Sequence, residues 1–146
     1  MRAWNGIGAA LLLGLLGLLT AGCGQKKITE CNAVVQVINA GVVSLEKAPK
    51  NEGDPTGVSD LKAMADAMDK VASDALNVQL TLPELKKYRD EYQKMAKEIA
   101  RAERDLARAA EERDTAKRGA AESTLDAAVK AEDPLVDQIN KYCQAP

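Results

Sequence analysis

Leu106-Ala107-Arg108-Ala109-Ala110-Glu111-Glu112-Arg113-Asp114-Thr115-Ala116-Lys117-Arg118-Gly119-Ala120-Ala121-Glu122-Ser123-Thr124-Leu125 holds no large apolar residue between its two leucines. Alanine and charged residues make the stretch helical by propensity, and Gly119 is its weak point. Two folds diverge here. If the helix that enters at Leu82 runs through Gly119 to Ala131, it is about 75 Å long and stands alone as a spike. If the chain turns back around residues 115–120, the same residues make two helices that pack on each other. Local propensity cannot choose between these. A long-range tie can, and Cys31 and Cys143 are the two cysteines that could make one.

Whether those thiols pair depends on the compartment. Arg2 and the amino terminus give a short positive start, and Ile7 to Leu19 is an uncharged apolar run. As helix the run spans about 20 Å, well short of the roughly 30 Å hydrocarbon core, so it reads as a secretory signal core. The run closes on Leu19-Thr20-Ala21-Gly22-Cys23. That stretch resembles the lipobox of bacterial lipoprotein precursors, with Thr20 where leucine is more usual. The resemblance covers residues 1–24 and says nothing of the remaining chain. It implies that residues 1–22 are a removed signal peptide, that Cys23 is acylated, and that residues 23–27 form a lipid-bearing tether. Gly24 stands where lipoproteins kept in the inner membrane commonly have aspartate, so the resemblance favours the outer membrane. A tether from Gly24 to Lys27 reaches about 14 Å when extended and holds the domain near the headgroups. Lys26 and Lys27 read there as ordinary solvated charges, ahead of lipid contacts.

Without residues 1–22 the chain has 124 residues, 19 basic and 22 acidic, a net charge of −3. That balance argues against a nucleic-acid partner, which requires a basic surface. Histidine is absent, and two thiols alone make no zinc site. No metal or cofactor is therefore expected, and haem held by imidazole is excluded. The two cysteines lie far from a Cys-x-x-Cys spacing, and in an exported chain they read as one structural disulfide. Closing so long a loop contributes about 4 to 5 kcal/mol in the chain-entropy picture. The same tie selects the turn, because it returns Cys143 beside Cys31. The expected fold is all-α, an up-down-up-down four-helix bundle over residues 28–146. Its third and fourth helices extend as a longer, coiled-coil-like hairpin.

Helical spacing of apolar residues sets the elements. The first helix is expected from Thr29, as N-cap, to Lys47, with Cys31, Val34, Val35, Ile38, Val42 and Leu45 inward and Gly41 at a close helix approach. Residues 48–58 carry two prolines and two glycines and read as a loop. Ser59 is expected to cap a second helix with Leu61, Met64, Ala65, Met68, Val71, Ala72 and Ala75 buried. Thr81 and Glu84 fit a capping box for the third helix, with Pro83 in its first turn. Its buried face is Leu85, Tyr88, Tyr92, Met95, Ile99, Ala102 and Leu106. The fourth helix turns Leu125, Val129, Leu135, Val136, Ile139 and Tyr142 inward and kinks at Pro134.

No histidine base, activated serine motif or phosphate loop is present, so the chain is expected not to be an enzyme. The reading is a lipid-anchored envelope module that binds or spaces another envelope protein. Its partner surface would be the hairpin charges Arg108, Glu111, Glu112, Arg113, Lys117 and Arg118. Tyr88, Tyr92 and Tyr142 are either a second docking patch or, more simply, the seal of the core. The alternative is a carrier of a small apolar ligand in a pocket lined by Met64, Met68 and Met95. Methionine at helical spacing is ordinarily core filler, which also weighs against copper.

Overall fold

The computed structural model describes residues 21–48, 53–54 and 56–145. The expected signal core lies outside them, as does part of the first loop. The described residues form α1 (Ala21–Glu46), α2 (Val58–Leu76), α3 (Pro83–Glu112), α4 (Thr115–Lys130) and α5 (Glu132–Gln144), with no strand among them. The helices pack together around one core whose buried members all fall between Cys31 and Cys143. α2 and α3 meet most extensively, α4 packs on α3, and α1 has the thinner contact, mainly with α2.

Alanine explains the tight α2–α3 seam. Ala65 and Ala72 of α2, with Ala96 and Ala100 of α3, are almost wholly buried. Their short side chains let the backbones approach, while Met68, Val71, Tyr92, Met95 and Ile99 fill the space between. Arg104 reaches across this seam to Asp66 at 2.8 Å and Asp69 at 2.7 Å. Leu85 and Ile139 are fully buried, so truncating either to alanine costs about 2 to 5 kcal/mol. Gly41 is the expected close approach: a Cβ there would lie 3.1 Å from Val71 Cγ1 and 3.4 Å from Tyr92 Oη.

The chain does break between Leu106 and Leu125, but two residues before the expected span. Arg113 adopts a left-handed backbone (φ 56°), its N–H bonds Ala110 O, and the N–H of Asp114 bonds Ala109 O at 2.9 Å. That pair of bonds closes α3 as a Schellman motif. Asp114 then starts α4, its carboxylate accepting from the N–H groups of Ala116 and Lys117. A strong N-cap placed directly after a helix end decides the turn. Gly119 lies inside α4 and is exposed.

The expected fourth helix is two helices. Pro134 has no N–H to offer Lys130 O, and its ring crowds that carbonyl, so the chain breaks at Ala131 and restarts as α5. Three helix starts also differ from expectation. α1 begins at Ala21, so residues 23–27 are helical and not an extended leash; Thr29, expected as N-cap, donates its hydroxyl to Gln25 O. α2 is led by Gly57 (φ 68°), and Ser59 is not its cap. α3 has Leu82 as N-cap, and the Thr81–Glu84 capping box is not formed. Val42, Met64 and Val129, expected inside, are exposed. α1 buries Glu30, Cys31, Val34, Ile38 and Gly41 and half-covers Val37 and Leu45, an arc that leaves Val42 outside.

Candidate functional site

The disulfide end of the bundle gathers the most specific contacts. Cys23 lies in the first turn of α1. Two turns further on, Cys31 bonds Cys143 of α5, with 5.7 Å between their Cα atoms. Beside it Glu30, 7 % exposed, leans toward the start of α3. Its carboxylate accepts the N–H groups of Thr81 and Leu82, each at 2.9 Å, and the Thr81 hydroxyl. An acid borrowed from α1 therefore does the work expected of Glu84, holding the free N–H groups before Pro83. Burial pushes the Glu30 carboxyl up, but the hydrogen bonds from Thr81 and Leu82, helped by Lys26, outweigh it and hold the group below its ordinary value.

Lys27 completes this end. Its ammonium donates to Ala145 O at 2.6 Å and lies 4.7 Å from the Tyr142 ring centre. Tyr142 meets Tyr88 edge to face at 6.0 Å. Tyr88 and Tyr92 are buried and Tyr142 half-buried, so the three make no exposed aromatic face. Tyr92 stands apart, near Gly41 and Val71. Burial, with Glu132 adding negative charge, raises its hydroxyl to about 12.

The far end is charged but internally matched. Glu111 bonds Lys62 at 2.6 Å, Lys117 bonds Glu112 at 2.5 Å and approaches Asp114, and Arg118 bonds Glu122 at 2.8 Å. Arg108 pairs with Asp105. Of the six expected partner-surface residues, Arg113 alone makes no ion pair among the described residues. Such exposed pairs contribute between zero and about 1 kcal/mol each. They leave little net field for a charged partner.

The methionines do not line a shared pocket. Met64 is exposed, whereas Met68 and Met95 are core. A half-open hollow between α1, α2 and α3 is lined by Val34, Val37, Ile38, Ala75, Val78, Arg89 and Tyr92, and its volume is about 10 Å³. That is room for about one water molecule, not for a lipid chain.

Besides Glu30, two acids hold positions that the sequence pattern alone does not assign. Asp54 accepts from the N–H and hydroxyl of Ser59, at 2.8 and 2.7 Å, and from Thr56, which folds the loop onto the start of α2. These bonds hold its carboxyl far below the usual range. Glu103 is 2 % exposed and its Oε2 has no partner among the described residues. Burial raises its carboxyl to about 7 against the pull of Arg104. Both Glu30 and Glu103 were visible as lone acids on apolar stripes. Glu30 adjoins Cys31 four before Val34, and Glu103 falls four after Ile99 and three before Leu106.

Helix α1 has a second property. Gly24–Glu46 is long and apolar enough to cross a membrane by length and composition. Cys31 and Glu30 tie it to the bundle, but only 28 % of its apolar stretch is buried there, and Ile28, Val42 and Val43 stay exposed. No family model, curated protein or solved structure matches the chain.

Proposed function

We propose that the protein is an envelope lipoprotein, cut before Cys23 and acylated there, that serves as a non-enzymatic spacing or adaptor module. The observation that carries this reading is the run Leu19-Thr20-Ala21-Gly22-Cys23 behind an uncharged apolar core. The disulfide supports it, since such bonds persist in oxidising compartments outside the cytosol. Gly24 favours the outer membrane. In this reading the bundle runs up-down-up-down, with α4 and α5 sharing the last course. The ion pairs Lys62–Glu111 and Arg104–Asp69 support opposed directions for α2 and α3. The α3–α4 tip then stands away from the lipid as a coiled-coil-like hairpin and meets another envelope protein. The carrier alternative gains nothing from a hollow the size of one water.

Intact-mass analysis of protein from its own cells tests the anchor. The expected product starts at Cys23 and carries acyl chains, and Cys23→Ser is expected to abolish both cleavage and membrane retention. A retained leader, or an unmodified start elsewhere, overturns the reading. Deleting residues 108–122 and joining the ends by a short turn tests the tip. The shortened protein is expected to stay folded and to lose its crosslinked envelope partners.

A further inference from the structure

The basic side chains are not evenly satisfied. Ten described lysines and arginines sit in ion pairs along the bundle and at its tip. Lys26, Lys27, Lys47, Lys86, Lys87, Lys97, Arg113 and Lys141 do not, and five of these eight fall at the disulfide end. Their gathering there follows from contacts already described. Glu30 joins the start of α1 to the start of α3, Lys27 joins α1 to Ala145, and Cys31 joins α1 to α5. The first turns of α1 and α3 and the last turn of α5 therefore share one end of the molecule.

Lys26, Lys86, Lys87 and Lys141 are exposed, and Lys27 half-exposed. Side chains on a helix lean toward its N-terminus, so the lysines of α1 and α3 lean out from this end. Their position runs against the helix field, which favours acids in first turns. α1 has no acid in its first turn, and α3 has Glu84. Glu30, the one acid of α1 before Glu46, is buried under Thr81 and Leu82. One turn further along α3, Asp90 and Glu91 flank Lys86 and Lys87, and Asp90 is taken by Arg89. Five lysines against Glu84 and Glu91 still leave this end, where α1 begins, with an excess of exposed base.

We infer that this end, through Lys26, Lys27, Lys86, Lys87 and Lys141, docks on anionic phospholipid headgroups and sets the bundle upright on its membrane. The inference rests on the anchored reading, because a single acyl-bearing residue fixes position but not orientation. Four or five lysines at the surface supply what the acyl group lacks, a contact spread over the width of the bundle.

The test uses the chain from Cys23 with Cys23→Ser, which carries no acyl group. It retains every core residue described between Cys31 and Cys143, and its folding is checked by thermal melting before binding is read. Cosedimentation is measured with vesicles of phosphatidylcholine alone and of phosphatidylcholine with phosphatidylglycerol. Binding is expected only to the mixed vesicles at about 0.1 M salt, and its loss at about 1 M, where the screening length falls from about 10 to about 3 Å. Lys86→Gln with Lys87→Gln is expected to weaken binding about fivefold per lysine. Lys47→Gln with Lys97→Gln, away from this end, leaves it unchanged. Lys26→Gln is a second variant, on the other helix, should the α3 pair disturb folding as judged by thermal melting. Equal binding to both vesicles, binding to neither, or indifference to the lysine changes overturns the inference. Acylation is read separately from the native mass, so a failed anchor and a failed docking face give different results.

Discussion

At the scale of single residues, two buried acids pull stability in opposite directions with pH. Glu30 is held ionised by Thr81 and Leu82, so its contribution is present at neutral pH and lost as pH falls through its lowered value. Glu103 behaves conversely. Its folded form keeps a proton to about pH 7, whereas the unfolded group releases it near the ordinary 4.5. Between those values the folded chain binds more protons, so stability falls as pH rises and levels off above about 7. Glu103→Gln is expected to remove most of that slope and to stabilise the protein at pH 8 by about 2 to 3 kcal/mol. Glu132, raised by burial and by Asp133, leaves a shallower slope of the same sign. Urea unfolding of both proteins from pH 4 to 8 reads this directly. Parallel profiles would show that Glu103 stays charged in the folded chain.

At the scale of elements, two glycines inside helices should respond oppositely to alanine. Gly119 is exposed in α4, and nothing lies within 4 Å of a Cβ placed there. Gly119→Ala is expected to stabilise by up to about 1 kcal/mol, the propensity difference. Gly41 pays the same propensity cost, yet a Cβ would press on both Val71 methyls at 3.1 and 3.2 Å. Val71 is buried and β-branched, so it cannot swing aside, and Gly41→Ala is expected to cost about 1 kcal/mol net. Arg113→Gly, at the left-handed end of α3, should gain about 1 kcal/mol. Thermal melts of the three variants check these signs; a stabilising Gly41→Ala would mean that α1 and α2 are free to part. Much of this architecture was legible in the sequence. The apolar spacing of α2 and α3, the close approach at Gly41, the pairing of Cys31 with Cys143 and the break before Leu125 all follow from residues close in sequence or from one covalent tie. What was not legible depends on residues distant in sequence. Nothing near Thr81 reveals that Glu30 caps α3, and nothing near Val42 reveals how narrow a face of α1 is covered. The turn falls ahead of Gly119 because Asp114, an ordinary N-cap residue, stands directly after the left-handed Arg113 that ends α3.

At the scale of the whole molecule, the helices are held unequally. α2 and α3 share a long alanine seam, whereas α1 meets its neighbours over a smaller area and leaves Ile28, Val42 and Val43 exposed. Two ties near one end, the disulfide and the Glu30 cap, therefore carry a large share of what keeps α1 in place. If the chain is anchored at Cys23 as proposed, force entering there would reach the α3–α5 body within about two helical turns. The arrangement also predicts how the protein comes apart. Cys31→Ser with Cys143→Ser is expected to cost about 3 to 5 kcal/mol overall. The loss should be uneven, because a thinly packed element opens before a well-packed one. Amide exchange should quicken first across Val34 to Leu45 of α1, while Met95 to Leu106 of α3 keep their protection until global unfolding. Simultaneous loss of protection in both helices would show that α1 belongs fully to the cooperative core, and that the disulfide acts on the unfolded chain alone.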